Sequence, residues 1–148
     1  MSNEVSPLIE LLRKVYYGPA WHGPSIMEVL KEITAIQSVA RINNTHTIAE
    51  LVEHMISWRD YVIEMLTGNA NYTVSDIKNF PTPRPWPEIL QALEEQQQRL
   101  IKTLGQFPHA DLKKKVGNND FDYYTLLHGI IHHDLYHIGQ IQLIKKAE

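Results

Sequence analysis

Cysteine is absent from this 148-residue chain. A protein without cysteine has no disulfide bonds, no thiolate ligands for a metal and no cysteine nucleophile. Any thiol chemistry would therefore need a thiol brought in by a cosubstrate. The chain also lacks an apolar run long enough to cross a bilayer, and its first residues lack the basic-then-apolar pattern of a signal peptide. We expect a cytoplasmic protein that does not enter a membrane.

Positive charge is scarce as well. Lysine and arginine total 14 against 17 aspartate and glutamate, which gives a formal net charge of −3. The longest cationic run is the "KKK" at residues 113–115, in a predicted loop. Duplex-binding proteins normally present a basic face, because counterion release supplies much of their affinity. Nucleic acid is therefore not the expected partner.

Alternating strand patterns are also missing, whereas apolar residues recur at helical spacing between Pro, Gly and Asn breaks. The length suits a single domain, spanning residues 1–148. Four principal amphipathic segments predict an all-α fold, a four-helix bundle. The predicted helices span residues 6–17, 46–68, 86–107 and 118–146. A further helix starts within residues 24–33, and residues 34–42 either continue it or form a short separate helix.

Several residues predict where these helices begin and end. Ser6 is the expected cap of the first helix, and Thr47 with Glu50 forms a capping box for the second. Asp120 or Asp122 is expected to cap the last helix. Residues 69–85, which contain three prolines, are predicted to form a loop.

Histidines are concentrated in the last helix, in the stretch "HHDLYHIGQ" at residues 132–140. At 100° per residue, His133 and His137 fall along one edge of the apolar stripe, whereas His128 and His132 fall on the polar side. Residues four apart present side chains about 5–6 Å apart, which suits two imidazoles on one metal ion. His54, at the margin of the apolar face of the 46–68 helix, is the candidate third ligand. The alternative is that these are partly buried histidines with structural hydrogen bonds.

Asp134 points near the middle of the same apolar stripe, where an unpaired carboxylate would be costly. It therefore needs a hydrogen-bond donor, and the candidates are a histidine ring, the Trp21 indole N–H or an arginine such as Arg13 or Arg41. It either orients a ligating or catalytic histidine or joins two helices structurally. The structural role is favoured.

Three stretches of the chain resemble the DinB-like superfamily, which includes YfiT-type metal-binding proteins and bacterial thiol-dependent transferases. These stretches are "GPAWHGPS" (18–25), "HTIAELVEHMISWRDY" (46–61) and "LLHGIIHHDLYHIGQI" (126–141). They span most of the chain in the family's order. The closing His-x-x-x-His-x-Gly-Gln-Ile segment is the most specific of them.

This resemblance implies a DinB/YfiT-type four-helix bundle that is often a homodimer. It also implies a divalent metal held by one histidine of the second long helix and two of the last. Carried over, these ligands are His54, His133 and His137, the same three residues that the orientation of the helices selects.

Several other residues are secondary candidates. His22, at a helix break, either lines the pocket or packs on Trp21 as a loop residue. Trp58, one turn beyond His54, either walls the pocket or belongs to the core. His46 is expected near the start of its helix or in solvent. Tyr136 and His109 carry little weight as functional residues.

Three neutral imidazoles would leave a divalent cation with an open position. Such a centre can activate water, as in a hydrolase, or stabilise the thiolate of a bound thiol, as in a thiol S-transferase. Zinc and nickel both suit imidazole, whereas calcium and magnesium prefer oxygen ligands. The expected partners are a small-molecule substrate and, for a transferase, a thiol cosubstrate. The competing interpretation is a non-catalytic bundle that binds a metal or a small molecule.

Overall fold

Helices and loops make up the part of the chain that the computed structural model describes, residues 3–148. Only two isolated bridges, and no longer strand, occur among these residues. The predicted all-α fold is confirmed. The helices are α1 (Val5–Tyr17), α2 (Ile26–Leu30), α3 (Ala35–Val39), α4 (Ile48–Leu66), α5 (Asp76–Asn79), α6 (Trp86–Gly105) and α7 (Tyr123–Ala147).

Four long helices form the bundle. Both α1 and α4 pack against α6 and α7, and one cluster of buried apolar side chains lies between them. Fully buried members of this core come from every long helix: Tyr16, Met55, Leu93, Leu100 and Leu127. None of the helices described is both long and apolar enough to cross a membrane.

Capping boxes begin three of the helices. The backbone N–H of Glu50 donates to Thr47 Oγ1 (3.1 Å), and the N–H of Thr47 donates to Glu50 Oε2 (2.8 Å), as the sequence predicts. Similar boxes at Ser25 and Thr34 start α2 and α3 separately. Residues 34–42 therefore hold a short helix of their own. Of the two proposed caps for α7, Asp122 is the one that accepts the N–H of Thr125 (2.8 Å).

The boundaries differ from the prediction at two places. Helix α1 already begins at Val5, so Ser6 is not its cap; the Asn3 side chain accepts the Val5 N–H instead (3.1 Å). The loop predicted for residues 69–85 contains α5. A helix of four residues is too short to show a periodic apolar pattern.

A buried ion pair joins α4 to α7 beside the histidines. Asp134 is 1% exposed, and its Oδ2 accepts a hydrogen bond from Arg59 Nη1 at 2.5 Å. Arg59 is equally buried, and it also donates to the side-chain oxygens of Gln96 and Gln97 on α6. Burial raises the pKa of the Asp134 carboxyl, and the Arg59 guanidinium opposes this change.

The partner of Asp134 is an arginine, as one of the predicted alternatives had it, but not an arginine that the prediction named. Arg13 and Arg41 were given as examples, but Arg59 is the residue bonded to Asp134. Trp21 is fully exposed and Arg41 pairs with Glu50. The favoured role of Asp134, a structural connection between helices, agrees with this geometry.

Candidate metal centre

Three imidazoles meet at the interface of α4 and α7. His54 Nε2 lies 3.1 Å from His133 Nε2, and His137 Nε2 lies 3.2 Å from the same atom. His54 and His137 are buried, with 7% and 8% exposure, and His133 is half-buried. One turn of helix separates His133 from His137, so both side chains project from the same side of α7. The three side chains chosen from the sequence are thus brought together.

Hydrogen bonds at the far side of two rings determine their tautomers. His54 Nδ1 lies 2.8 Å from the backbone oxygen of Asn79, and His137 Nδ1 lies 2.6 Å from Gln140 Oε1. Both partners are oxygens that only accept, so each Nδ1 carries the proton. The Nε2 atoms of His54 and His137 therefore present lone pairs towards the centre of the cluster.

His133 lies between these two lone pairs. Its Nδ1 is buried and has no hydrogen-bond partner in the described part of the chain. A proton on His133 Nε2 could be donated to His54 or His137, but it cannot satisfy both fully. The cluster therefore has more acceptors than donors, an arrangement that a cation relieves.

The electrostatics keep the cluster uncharged. Burial, followed by the nearby His137 and His54, lowers the pKa of His133 to about 4. Burial also lowers the pKa of His54 and of His137, although their hydrogen bonds to Asn79 and Gln140 act in the opposite direction. Neutral imidazole is the form of histidine that binds metals.

The donor set fits a transition-metal ion. The three histidines offer ligand atoms that all lie within 4.8 Å of one another. Two nitrogens bound to one tetrahedral zinc ion lie about 3.3 Å apart, given Zn–N bonds of about 2.0–2.1 Å. The separations of 3.1 and 3.2 Å are close to this value. Nitrogen ligands disfavour calcium and magnesium.

An aromatic wall shields His54. The Phe80 ring stacks on His54 at a centroid distance of 4.3 Å, and His46 stacks on the other face of Phe80 at 4.0 Å. Trp58 lies at 6.2 Å from His133 and donates its indole N–H to Asn79 Oδ1 at 2.9 Å. Asn79 therefore contacts both His54, a candidate ligand, and Trp58.

The loop that carries Asn79 and Phe80 is fastened to α4 a second time. The buried Glu53 accepts the backbone N–H of Arg84 (3.0 Å) and also two side-chain N–H groups of Arg84 (2.9 and 2.8 Å). Glu53 directly precedes His54 in the sequence. Consecutive residues of α4 therefore hold the two ends of one short loop segment.

The remaining histidines take local positions. The exposed His22 ring contacts the backbone oxygen of Pro24 at 3.0 Å, and a role of His22 in the pocket stays a prediction. His132 is exposed, as predicted. His128 is half-buried rather than solvated, because its ring packs on Tyr124 at 4.1 Å and Nδ1 contacts the Tyr124 carbonyl. His46 contacts Glu50 near the start of α4.

Sequence reasoning did not identify Asn79, Phe80 or Gln140. Gln140 could have been found, because it follows His137 by three residues on the same helix and lies beside it. Asn79 ends the short helix α5 and Phe80 follows it, in a segment whose conformation the sequence pattern does not determine. Tyr136, given little weight, is exposed and lies edge-on to His137 at 5.1 Å.

Comparison with protein families matches residues 18–141 to the DinB superfamily. This match covers most of the chain, and the helical bundle agrees with it. The protein belongs to the DinB superfamily. Comparisons with curated proteins and with solved structures gave no match.

Proposed function

We propose that this protein is a metal-dependent enzyme that binds one divalent transition-metal ion, zinc or nickel, through His54, His133 and His137. The observation that carries the proposal is the convergence of three Nε2 atoms, two of them with tautomers set by outer hydrogen bonds. Family membership supports it.

A divalent cation held by three neutral imidazoles supplies Lewis acidity that lowers the pKa of a bound water or thiol. We therefore propose a hydrolase or a thiol S-transferase acting on a small molecule. In a chain without cysteine, the transferase would use a low-molecular-weight thiol as cosubstrate.

Residues of the chain have distinct roles in this proposal. Asn79 and Gln140 hold the protons of His54 and His137 on Nδ1, which leaves each Nε2 free to bind the metal. Phe80 and Trp58 limit the access of water to the rings, which strengthens the electrostatic interactions there. Among the hydrogen bonds of the described residues, none joins these three histidines to a carboxylate. The proton of the nucleophile would therefore pass to solvent or to the substrate.

A second candidate is a non-catalytic bundle that binds a metal or a small molecule. The absence of a carboxylate base bonded to the three histidines favours it, because metal-dependent hydrolases often carry a Glu for this purpose. A metal site without turnover would have the same three ligands.

Metal analysis of protein purified without a histidine tag tests the proposal. We expect one zinc or nickel ion per chain in the wild type and none in His133→Ala. His132→Ala is the matched control, because His132 is the exposed neighbour of His133 on α7 and should leave the metal content unchanged. A wild-type protein that stays empty in metal-replete buffer would overturn the proposal.

Activity assays then separate the classes. Generic esters tested without thiol report a hydrolase, and alkyl or acyl electrophiles tested with added low-molecular-weight thiol report a transferase. Stoichiometric metal with no turnover in either assay would favour the non-catalytic bundle.

A further inference from the structure

A cavity of about 420 Å³ has His133 in its wall, next to the three-histidine cluster. Its other walls are aromatic and aliphatic and come mainly from α4 and α7; they include Trp58, Tyr61, Phe121 and Leu126. The cavity therefore joins an apolar space to one of the candidate metal ligands. Pockets that bind small molecules commonly combine an apolar lining with a few polar groups in this way.

Among residues 3–148, none of those that line the cavity is Lys, Arg, Asp or Glu. A ligand with a carboxylate or phosphate would lose hydration there without gaining an ionic partner from the lining side chains, which is costly. In the metal-loaded protein, only an anionic group placed at the cation itself would gain one. Four lining residues carry a polar side-chain group: Trp58, Tyr61, Thr125 and His133. The Trp58 N–H already donates to Asn79, which leaves the two hydroxyls and the His133 imidazole. These groups suit an uncharged ligand that carries a hydroxyl, carbonyl or similar group.

The volume suits a molecule of one or two rings. A cavity of about 150 Å³ lined by aliphatic and aromatic side chains takes up benzene. The cavity beside His133 has more than twice that volume, at about 420 Å³. It lies within the range of typical ligand sites, about 300–1,000 Å³.

A larger cavity, of about 750 Å³, lies between α2 and the end of α7. It contains none of the three clustered histidines, and charged residues line much of it: Glu28, Lys31, Glu32, Lys145 and Lys146. The position of the smaller cavity, rather than size, therefore identifies it as the space connected to the candidate centre.

We infer that the cavity beside His133 is the substrate site and that it takes a small, uncharged, aromatic or otherwise apolar molecule. This inference rests on the proposed function, since it assigns a substrate class to that centre. The aromatic walls hold the apolar body, and His133 lies where a polar group of the ligand would approach the histidine cluster.

Calorimetric titration with two probes that share one ring system tests this inference. We expect 1-naphthol, which is neutral at pH 7, to bind the chelated protein at least tenfold more tightly than 1-naphthoate, which carries a charge and finds no cation there. Both titrations use the full chain, with zinc added and after chelation.

Gly129 provides a variant that fills the cavity. It lines the cavity, and a Cβ added there meets no atom within 4 Å. Gly129→Phe should therefore weaken 1-naphthol binding at least tenfold while the helix is kept. Gly139→Phe is the matched control, because Gly139 is also an α7 glycine with open space around its Cβ but does not line the cavity.

A second variant, Thr125→Phe at the exposed rim of the cavity, keeps the test valid if Gly129→Phe does not fold. Circular dichroism confirms that each variant is helical. Loss of 1-naphthol binding in both cavity variants, with binding kept in Gly139→Phe, supports the inference. Unchanged binding in folded Gly129→Phe and Thr125→Phe, or equal affinity of the chelated wild-type protein for the two probes, overturns it.

Metal content measured on the same samples separates this result from the proposed function. If wild-type protein holds zinc but does not bind 1-naphthol, the inference about the cavity fails and the metal proposal stands. If the protein binds 1-naphthol in the cavity but never holds a metal, the metal proposal fails and the cavity remains a site for neutral aromatic molecules.

Discussion

Two polar clusters join α4 to α7 in the interior, and they differ in how their charges and hydrogen bonds are matched. In the first, the Arg59 guanidinium meets the Asp134 carboxylate and two glutamine oxygens. In the second, His54, His133 and His137 bring three ring nitrogens together with too few protons between them. The opposite charges of the first cluster are paired within the chain, although Asp134 Oδ1 has no hydrogen-bond partner among the described residues. The second cluster gains its missing partner from a cation. Burial of polar groups therefore serves stability in one place and binding in the other.

Removal of Arg59 should produce the largest effect, because it leaves the Asp134 carboxylate buried without its cation. Arg59→Ala should lower the free energy of unfolding by about 3–5 kcal/mol, measured by urea denaturation of metal-free protein. Arg99→Ala is the control, since Arg99 forms an exposed pair with Asp60 at 3.9 Å and should have a much smaller effect.

Replacement of both members of the pair sharpens this test. Arg59→Met combined with Asp134→Leu removes both charges and should recover most of the lost stability, because no unpaired charge stays buried. If Arg59→Ala were no more destabilising than Arg99→Ala, the first cluster would not be a stabilising pair.

Gln140 allows the second cluster to be weakened without removal of a ligand. Gln140→Ala removes the acceptor for the His137 Nδ1–H, and we expect a 10–100-fold loss of zinc affinity, about 1.4–2.7 kcal/mol. Competition with a chromophoric chelator measures this loss. Gln140→Glu keeps an acceptor and should restore affinity, and Gln142→Ala is a control on the same helix. Equal affinities in all four proteins would show that the hydrogen bond does not orient His137.

Acid should distinguish the clusters by the sign of their effects on the metal-free protein. The unfolded chain has histidines with an ordinary pKa near 6.5, whereas that of folded His133 is lowered to about 4. Between these values the unfolded state binds more protons, so the free energy of unfolding falls as the pH drops from about 6.5 towards about 4. Asp134 has the opposite effect on the free energy of unfolding. Its pKa is raised in the folded state, so the folded state binds more protons and protonation of Asp134 favours it.

The difference between wild type and His133→Ala isolates the contribution of the histidine. Across the same pH range, we expect the free energy of unfolding of this variant to fall by about 1–2 kcal/mol less than that of the wild type, after allowance for solvent screening. Urea denaturation at several pH values between 4 and 7 measures the difference. Parallel pH profiles for the two proteins would contradict the lowered pKa of His133.

The same two clusters show what the sequence could predict. Helical periodicity placed His54, His133 and His137 on neighbouring faces, because a regular helix fixes the direction of each side chain. Arg59 was missed although the signal was present. It lies four residues after Met55 and three before Val62, on the apolar stripe of α4, just as Asp134 lies on that of α7. Opposite charges on two facing apolar stripes are each other's natural partners.

The outer contacts of the site were beyond such reasoning for a physical reason. Asn79 reaches His54 through its backbone carbonyl, a group that every residue has. Side-chain identity therefore carries no signal of this contact. The short helix α5 and the turn after it position that carbonyl, and their path depends on contacts with α4 that only the folded structure reveals.

The segment from Asn79 to Arg84 acts as a strap of fixed span across α4. One end is attached at His54 and the other at Glu53, the residue before it. Pro81 and Pro83 lie between the two attachment points, and their restricted φ angles limit the conformational freedom of this segment. An inserted or deleted residue here would turn the His54 ring, even if every side chain of the site were kept. The orientation of the His54 ring therefore depends partly on the number of residues in a segment that begins 25 positions later in the chain.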